Sequence, residues 1–201
     1  MFNVNIMIKK ENITGIVLAG GKSSRMGKDK SLLLLKNKPL ISYSIDALLP
    51  VTNEIIIVSD YEKHEALGYK RTKDEIPDFG PVSGIYSGLK ASTTPYNLIL
   101  SCDIPLVQTK ILQTLLNEIE NDFEIIMIES EKKAMPLIAL YSKKCEDKFY
   151  QAIQNKQHRL MHVVSECKTK RIALSEEEKI LTSNVNTPYE LELVKNYLSL
   201  S

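Results

Sequence analysis

The sequence predicts an α/β fold with a layered, mostly parallel sheet. Short apolar runs alternate with longer amphipathic stretches along the whole chain, the order of βα units and not of a strand block followed by a helix block. Several of the short runs, ITGIVLA (13–19), NEIIIVS (53–59) and YNLILS (96–101) among them, are apolar at almost every position, as strands buried on both faces are. The 201 residues, 43% hydrophobic and 25% charged, have the composition of an ordinary globular chain, which speaks against disorder and a membrane class. A single domain over 1–201 of that length buries about 70% of its unfolded surface.

Taken in order, strands are expected at 13–19, 53–59, 96–101, 123–129, 136–141 and 168–174. Helices fill the gaps at 39–49, 84–91, 108–120, 145–154, 159–165 and 188–198. Pro39 suits the start of the first helix, whose Ile41, Ile45 and Leu48 share one face. Thr187 before Pro188 and Glu190 has the cap-then-proline arrangement of a helix start. The stretch 61–81 shows no periodicity and is expected to be irregular, and irregular segments of that length are usually functional or flexible.

Charge and cysteine usage narrow the classes. Lys and Arg number 26 against 25 Asp and Glu, so a net charge of +1 offers no global field for nucleic acid or a lipid surface, and any anion site must be local. Cys102, Cys145 and Cys167 are odd in number and widely spaced, which fits unpaired thiols and a cytoplasmic protein. The start MFNVNIMIKK has too short an apolar core for a secretory signal, and no run reaches 18 apolar residues, so no membrane span is expected.

The stretch LAGGKSSRMGKDKSL (18–32) sets glycines and cations directly after the first strand. Gly20 and Gly21 permit close backbone approach and unusual φ angles, while Arg25, Lys28 and Lys30 add charge, a combination able to cradle a polyphosphate. It is neither GxxxxGK[ST], since five residues separate Gly21 and Gly27, nor GxGxxG. On its own the stretch is equally well read as a solvated basic turn. Asp103 follows the third strand, at the end where open α/β sheets bind ligands. Mg²⁺ takes one or two carboxylates together with phosphate oxygens, so Asp103 is the candidate metal ligand, although Asp-x-Pro also forms ordinary turns. Asn184 and Asn186 flank Val185, so both amides face one way on an extended segment; the alternative is a plain capping turn before Pro188.

Taken together, LAGGKSSRMGKDKSLL, GPVSGI (80–85), SCDIP (101–105) and NVNTPYEL (184–191) resemble, in order, the motifs of nucleotidyltransferases that attach a nucleoside monophosphate to molybdopterin, above all the molybdenum cofactor guanylyltransferases. The resemblance implies a Rossmann-like three-layer α/β/α sandwich of the nucleotide-diphospho-sugar-transferase type. It implies transfer of GMP from GTP to molybdopterin with release of pyrophosphate, giving the molybdopterin guanine dinucleotide cofactor. The nucleotide would be lined by Leu18, Ala19, Gly20, Gly21, Lys30, Asp74 and Asp103, with Mg²⁺ on Asp103. Arg25 is assigned to the β- and γ-phosphates, Lys30 to the α-phosphate, and Asp74 to guanine selection, where a carboxylate can accept from N1 and N2. Arg159, Asn184 and Asn186 are the candidate acceptor-side residues. A monomer is expected, in transient contact with molybdopterin-supplying and molybdoenzyme-maturation proteins. Two positions depart from the family pattern: Met135 stands where a histidine is usual, and Val58 where an asparagine is. His158 and His162 lack a metal-site context and read as exposed or packed polar residues. Transfer of CMP, and GTP binding without turnover, are the competing readings.

Overall fold

The computed structural model describes residues 9–20, 30–119 and 122–200. A 3₁₀ turn, Lys10–Asn12, leads into β1 (Ile13–Leu18). After the 3₁₀ turn Lys30–Leu32 come a two-residue hairpin, β2 (Leu34–Leu35) and β3 (Lys38–Pro39), then α1 (Leu40–Leu48) and β4 (Glu54–Val58). A 3₁₀ helix, Glu62–Leu67, precedes β5 (Lys70–Thr72), α2 (Pro81–Ala91), β6 (Tyr96–Ser101) and α3 (Thr109–Asn117). The second half carries β7 (Ile125–Ser130), β8 (Lys133–Ser142), α4 (Cys145–Gln154), α5 (Leu160–Ser165), β9 (Thr169–Ala173), a 3₁₀ helix Glu176–Thr182 and α6 (Pro188–Leu200).

Among the described residues seven strands form one sheet in the order β5-β4-β1-β6-β8-β7-β9, in which β8 alone runs against the others. The chain steps outward from β1 to β4 and β5, then α2 carries it back so that β6 lands on the other side of β1. That reversal makes the carboxyl ends of β1 and β6 a topological switch point, the usual ligand position in an open α/β sheet.

Alternation along the strands builds two cores. Ile13 and Val17 of β1 point into one, with α1, α3 and α6; Ile16 points into the other, with α2, α4 and α5. The three layers expected from the resemblance are therefore present. Helix α2 lies unusually close to the sheet because Gly88 has no side chain: an added Cβ would fall 2.6 Å from Ile16 Cγ2. Gly80 caps the same helix at φ +79° and ψ −159°, backbone that favours glycine.

Two expectations need correction. The 61–81 stretch is not irregular throughout, since it holds a 3₁₀ helix and β5. Arg71 of β5 binds Glu65 at 2.6 Å and donates to Ser59 O at 3.0 Å, and three residues are too few for any periodicity to show. Helix α2 starts at Pro81, three residues before the expected 84, because proline fits the first helical position after the Gly80 cap. The apolar run 136–141 lies in an antiparallel strand, buried because it is flanked by β6 and β7. Its Pro136 falls where the β7–β8 register shifts after Met127, the irregular point at which a strand tolerates a missing N–H.

Candidate active site

Strands β1 and β6 pair as far as Leu18 and Ser101, and pairing continues one rung further, with Cys102 N donating to Leu18 O at 3.1 Å and Ala19 N to Val58 O at 3.0 Å. Both chains then leave the sheet at the same level. Leu18 and Ala19 are buried, whereas Gly20 is exposed, and a Cβ built there meets no atom within 4 Å. Of the two freedoms that glycine offers, Gly20 does not use a positive φ, which among the described glycines Gly68 and Gly80 adopt. What Gly20 provides is unobstructed backbone at the strand end.

Asp103 lies in the turn after β6, and its carbonyl accepts Val185 N at 2.8 Å, which docks the NVNTP segment against the SCDIP turn. Lys30, first residue of its 3₁₀ turn, reaches across. Its Nζ donates to Asp103 Oδ2 and to Asn186 Oδ1, each at 2.8 Å. Three segments separated by more than 70 residues in sequence thus meet at one ammonium group. The orientation of Asn186 is fixed from behind. Glu190 Oε2 accepts from Asn186 N at 2.7 Å and Thr187 N at 2.8 Å, and Thr187 Oγ1 accepts Glu190 N at 3.2 Å, a capping box at the start of α6. The Asn186 N–H bond first, then the bonds to Thr187, hold the Glu190 carboxyl below the usual range, while burial opposes them. Asn184, on the other side of buried Val185, is exposed, so the alternation expected for this segment is present.

Asp74 lies two residues past β5, at the same end of the sheet. Ser83, in the first turn of α2, donates its hydroxyl to Asp74 Oδ1, and Ile76 N donates to the same oxygen at 3.2 Å. Ile76 N also reaches Ser83 Oγ at 3.1 Å, and Glu75 N donates to Ser87 Oγ at 2.9 Å. The hydroxyls of the GPVSGI helix therefore shape the loop that presents Asp74. Burial pushes the Asp74 carboxyl above its ordinary value, the Ser83 and Ile76 bonds oppose this, and the nearby Asp60 charge adds to the rise.

The other expected residues are placed as follows. Gly21 and Arg25, with Lys28, lie outside the described residues. Arg159 is exposed just before α5, next to His158, whose ring stacks on Phe79 at 3.8 Å between centroids. His162 is exposed beside Glu166, 3.4 Å away. All three cysteines are free thiols and buried. Among the described residues no three His, Cys, Asp or Glu side chains converge as a metal cluster, and no helix is long and apolar enough to cross a membrane. Sequence reasoning missed the parts played by Ser83 and Glu190. The spacing of Thr187 and Glu190 marked a cap, but nothing local in the sequence says that this cap aims Asn186 at Lys30.

The sequence profile of the MobA-like NTP transferase domain matches residues 15–171. The chain belongs to this family. As a MobA-like protein it is 38% identical over 181 residues to a Flavobacterium johnsoniae protein named "Probable molybdenum cofactor guanylyltransferase", covering 90% of this chain and 95% of that one. A Vibrio campbellii protein named molybdenum cofactor guanylyltransferase is 31% identical, with 92% and 96% covered. The solved structure of molybdopterin-guanine dinucleotide biosynthesis protein A from Archaeoglobus fulgidus superposes with a TM-score of 0.80 at 21% identity, covering 94% of this chain and 100% of that chain. At that identity the likeness speaks for the fold, and the Rossmann-like α/β/α architecture is shared.

Proposed function

We propose that this MobA-like protein transfers GMP from GTP to molybdopterin and releases pyrophosphate. The observation that carries the proposal is the meeting of Lys30, Asp103 and Asn186 at the carboxyl ends of β1 and β6, beside the open backbone of Gly20. Relatives named for this reaction match the chain over nine-tenths of its length. In the transfer, a phosphate oxygen of the acceptor attacks the α-phosphorus of GTP, the bond from that phosphorus to the bridging oxygen breaks, and pyrophosphate leaves. Two anions must be aligned and neutralised, with no covalent protein intermediate required.

Lys30 is assigned to the α-phosphate, where its ammonium offsets charge on the oxygens as the bond order changes. Backbone groups of Leu18, Ala19 and Gly20 line the nucleotide, with Gly21 and Arg25 completing the phosphate contacts. Asp74 accepts from the N1 and N2 hydrogens of guanine, which cytosine does not offer as a pair. Arg159 and Asn184 face the acceptor. The Asp103 carboxylate, which has a second oxygen beside the Oδ2 that Lys30 binds, is a hard donor that fits Mg²⁺, a cation that takes few protein ligands when it shares a polyphosphate, while Asn186 stays an acceptor-side residue. Bound there, Mg²⁺ would supply charge neutralisation of the phosphates. The proposal includes the whole chain working as one domain, as a cytoplasmic monomer that receives molybdopterin by transient contact with the protein supplying it and passes product to molybdoenzyme-maturation proteins.

Purified protein is incubated with Mg²⁺, molybdopterin and, separately, GTP, CTP or ATP. Pyrophosphate release with GTP that depends on molybdopterin is expected. Equal release with CTP removes the guanylyl assignment, and GTP binding without release turns the protein into a nucleotide-binding subunit.

A further inference from the structure

His64 takes no part in the assignments above, yet its imidazole is buried and bonded through both nitrogens. It is fully buried, at 0% exposure, within the 3₁₀ helix Glu62–Leu67. Both ring nitrogens are hydrogen-bonded: Nε2 to Ser31 Oγ and Nδ1 to Ser59 Oγ, each at 2.7 Å. A hydroxyl can donate or accept, so either neutral tautomer satisfies both bonds. The two serines, at 2% and 0% exposure, are as deeply placed as the ring.

What the ring connects gives it a purpose. Ser59 directly follows β4 and is tied to the sheet, its N–H donating to Thr72 O at 2.9 Å and its carbonyl accepting from Arg71 Nη1 at 3.0 Å. Tyr61 N donates to Ser59 Oγ at 3.0 Å, which helps hold the serine side chain in place. Ser31 is the residue after Lys30, within the same short 3₁₀ turn, whose Leu33 N donates to Lys30 O at 3.1 Å. The imidazole therefore bridges the rigid end of β4 and the turn that carries Lys30.

We propose that His64 is a positioning residue for the transfer: it pins the Lys30–Leu32 turn to the end of β4 and so holds the Lys30 ammonium at Asp103 and Asn186. The inference rests on the assignment of Lys30 in the proposed reaction. Lysine has a flexible four-carbon stem, so fixing its backbone is the economical way to restrict where the ammonium goes. Displacement by about 1 Å of a group that aligns reactants costs on the order of 10²-fold in rate.

The test is a double-mutant cycle in the full chain, reading kcat and KM for GTP from pyrophosphate release, with thermal melts to establish folding. His64→Leu removes both hydrogen bonds. It is expected to lower kcat by roughly 10- to 100-fold with KM for GTP changed less than about threefold. Ser31→Ala is expected to lower kcat in the same sense, and His64→Gln, whose amide keeps a donor and an acceptor, to recover part of the loss. With Lys30 already replaced by methionine, His64→Leu should produce no further fall, because the group it positions is gone. A fall by the same factor in both backgrounds overturns the inference and makes His64 a general packing residue. Where His64→Leu fails to fold, Ser31→Ala is carried through the same cycle with the same two outcomes. Undiminished turnover of Lys30→Met alone strikes the assignment of Lys30 itself, a failure distinct from additivity.

Discussion

Replacing Lys30 by methionine is expected to separate activity from stability. Methionine keeps an unbranched stem and removes the ammonium, which makes two charge-assisted hydrogen bonds, to Asp103 Oδ2 and Asn186 Oδ1, both at 2.8 Å. Breaking a bond to a charged group costs about 1.5–3 kcal/mol when the stranded partner is buried. Here the Lys30 and Asp103 side chains are 17% and 14% exposed, so water reaches the carboxylate left behind. The net folding cost is then about 1–2 kcal/mol, between exposed and buried ion pairs. For a domain this size that lowers Tm by roughly 2–8 °C. Turnover follows a different arithmetic. Removing one preorganised group that stabilises developing charge costs on the order of 10²–10³ in kcat, about 2.7–4 kcal/mol. Pyrophosphate release from GTP and molybdopterin, measured beside thermal and urea melts, reads both quantities. Turnover within about threefold of the unchanged protein, or a rate loss no larger than the fraction unfolded, would refute the reasoning.

Three further outcomes follow from the same contacts. Asp74→Asn keeps the acceptor for Ser83 and Ile76 and removes a carboxylate whose ionisation burial opposes. A raised folded-state value means stability present below the unfolded value and lost as pH rises through the folded one, so the variant should melt higher than the parent at pH 7 and lose that advantage below about pH 4, while its preference for GTP over CTP falls. Glu190→Ala removes the acceptor of Asn186 N and Thr187 N and should cost about 1 kcal/mol in urea melts together with a lower kcat. Because Glu190 titrates below its ordinary value, its stabilisation is present above the unfolded value and lost as pH falls through the lower folded one, so the gap between parent and variant should narrow on acidification past the ordinary glutamate range. Gly88→Ala places a methyl group 2.6 Å from Ile16 Cγ2 and should destabilise by about 1–3 kcal/mol through overpacking, a loss that equilibrium denaturation measures.

The expected strands and helices form because their apolar pattern is long enough to register. The runs 13–19, 53–59, 96–101 and 123–129 hold enough consecutive apolar residues to declare a buried strand, whereas 168–174 forms the partly exposed edge strand β9. Strand β5 did not declare itself: Lys70, Arg71 and Thr72 are polar, and they pair with β4 through backbone bonds that no side-chain pattern encodes. The direction of β8 was equally hidden, since being flanked on both sides makes an antiparallel strand as apolar as a parallel one. At the site, Asp103 and Asn186 were legible as motifs, and Lys30 as a cation after the first strand. Their convergence is a product of the fold, which closes gaps of 73 and 156 residues. His64 gave no signal at all, because a histidine among EKHEAL looks like a surface residue until β4 and the Lys30 turn enclose it.

The most direct measurement is a crystal structure of the protein grown with GTP and Mn²⁺, using the anomalous signal of manganese to locate the metal. The account predicts the metal on the Asp103 carboxylate and the α-phosphate within hydrogen-bond reach of Lys30 Nζ, with Gly20 backbone against the nucleotide. A triphosphate bound away from the ends of β1 and β6, or a metal held without Asp103, would contradict it.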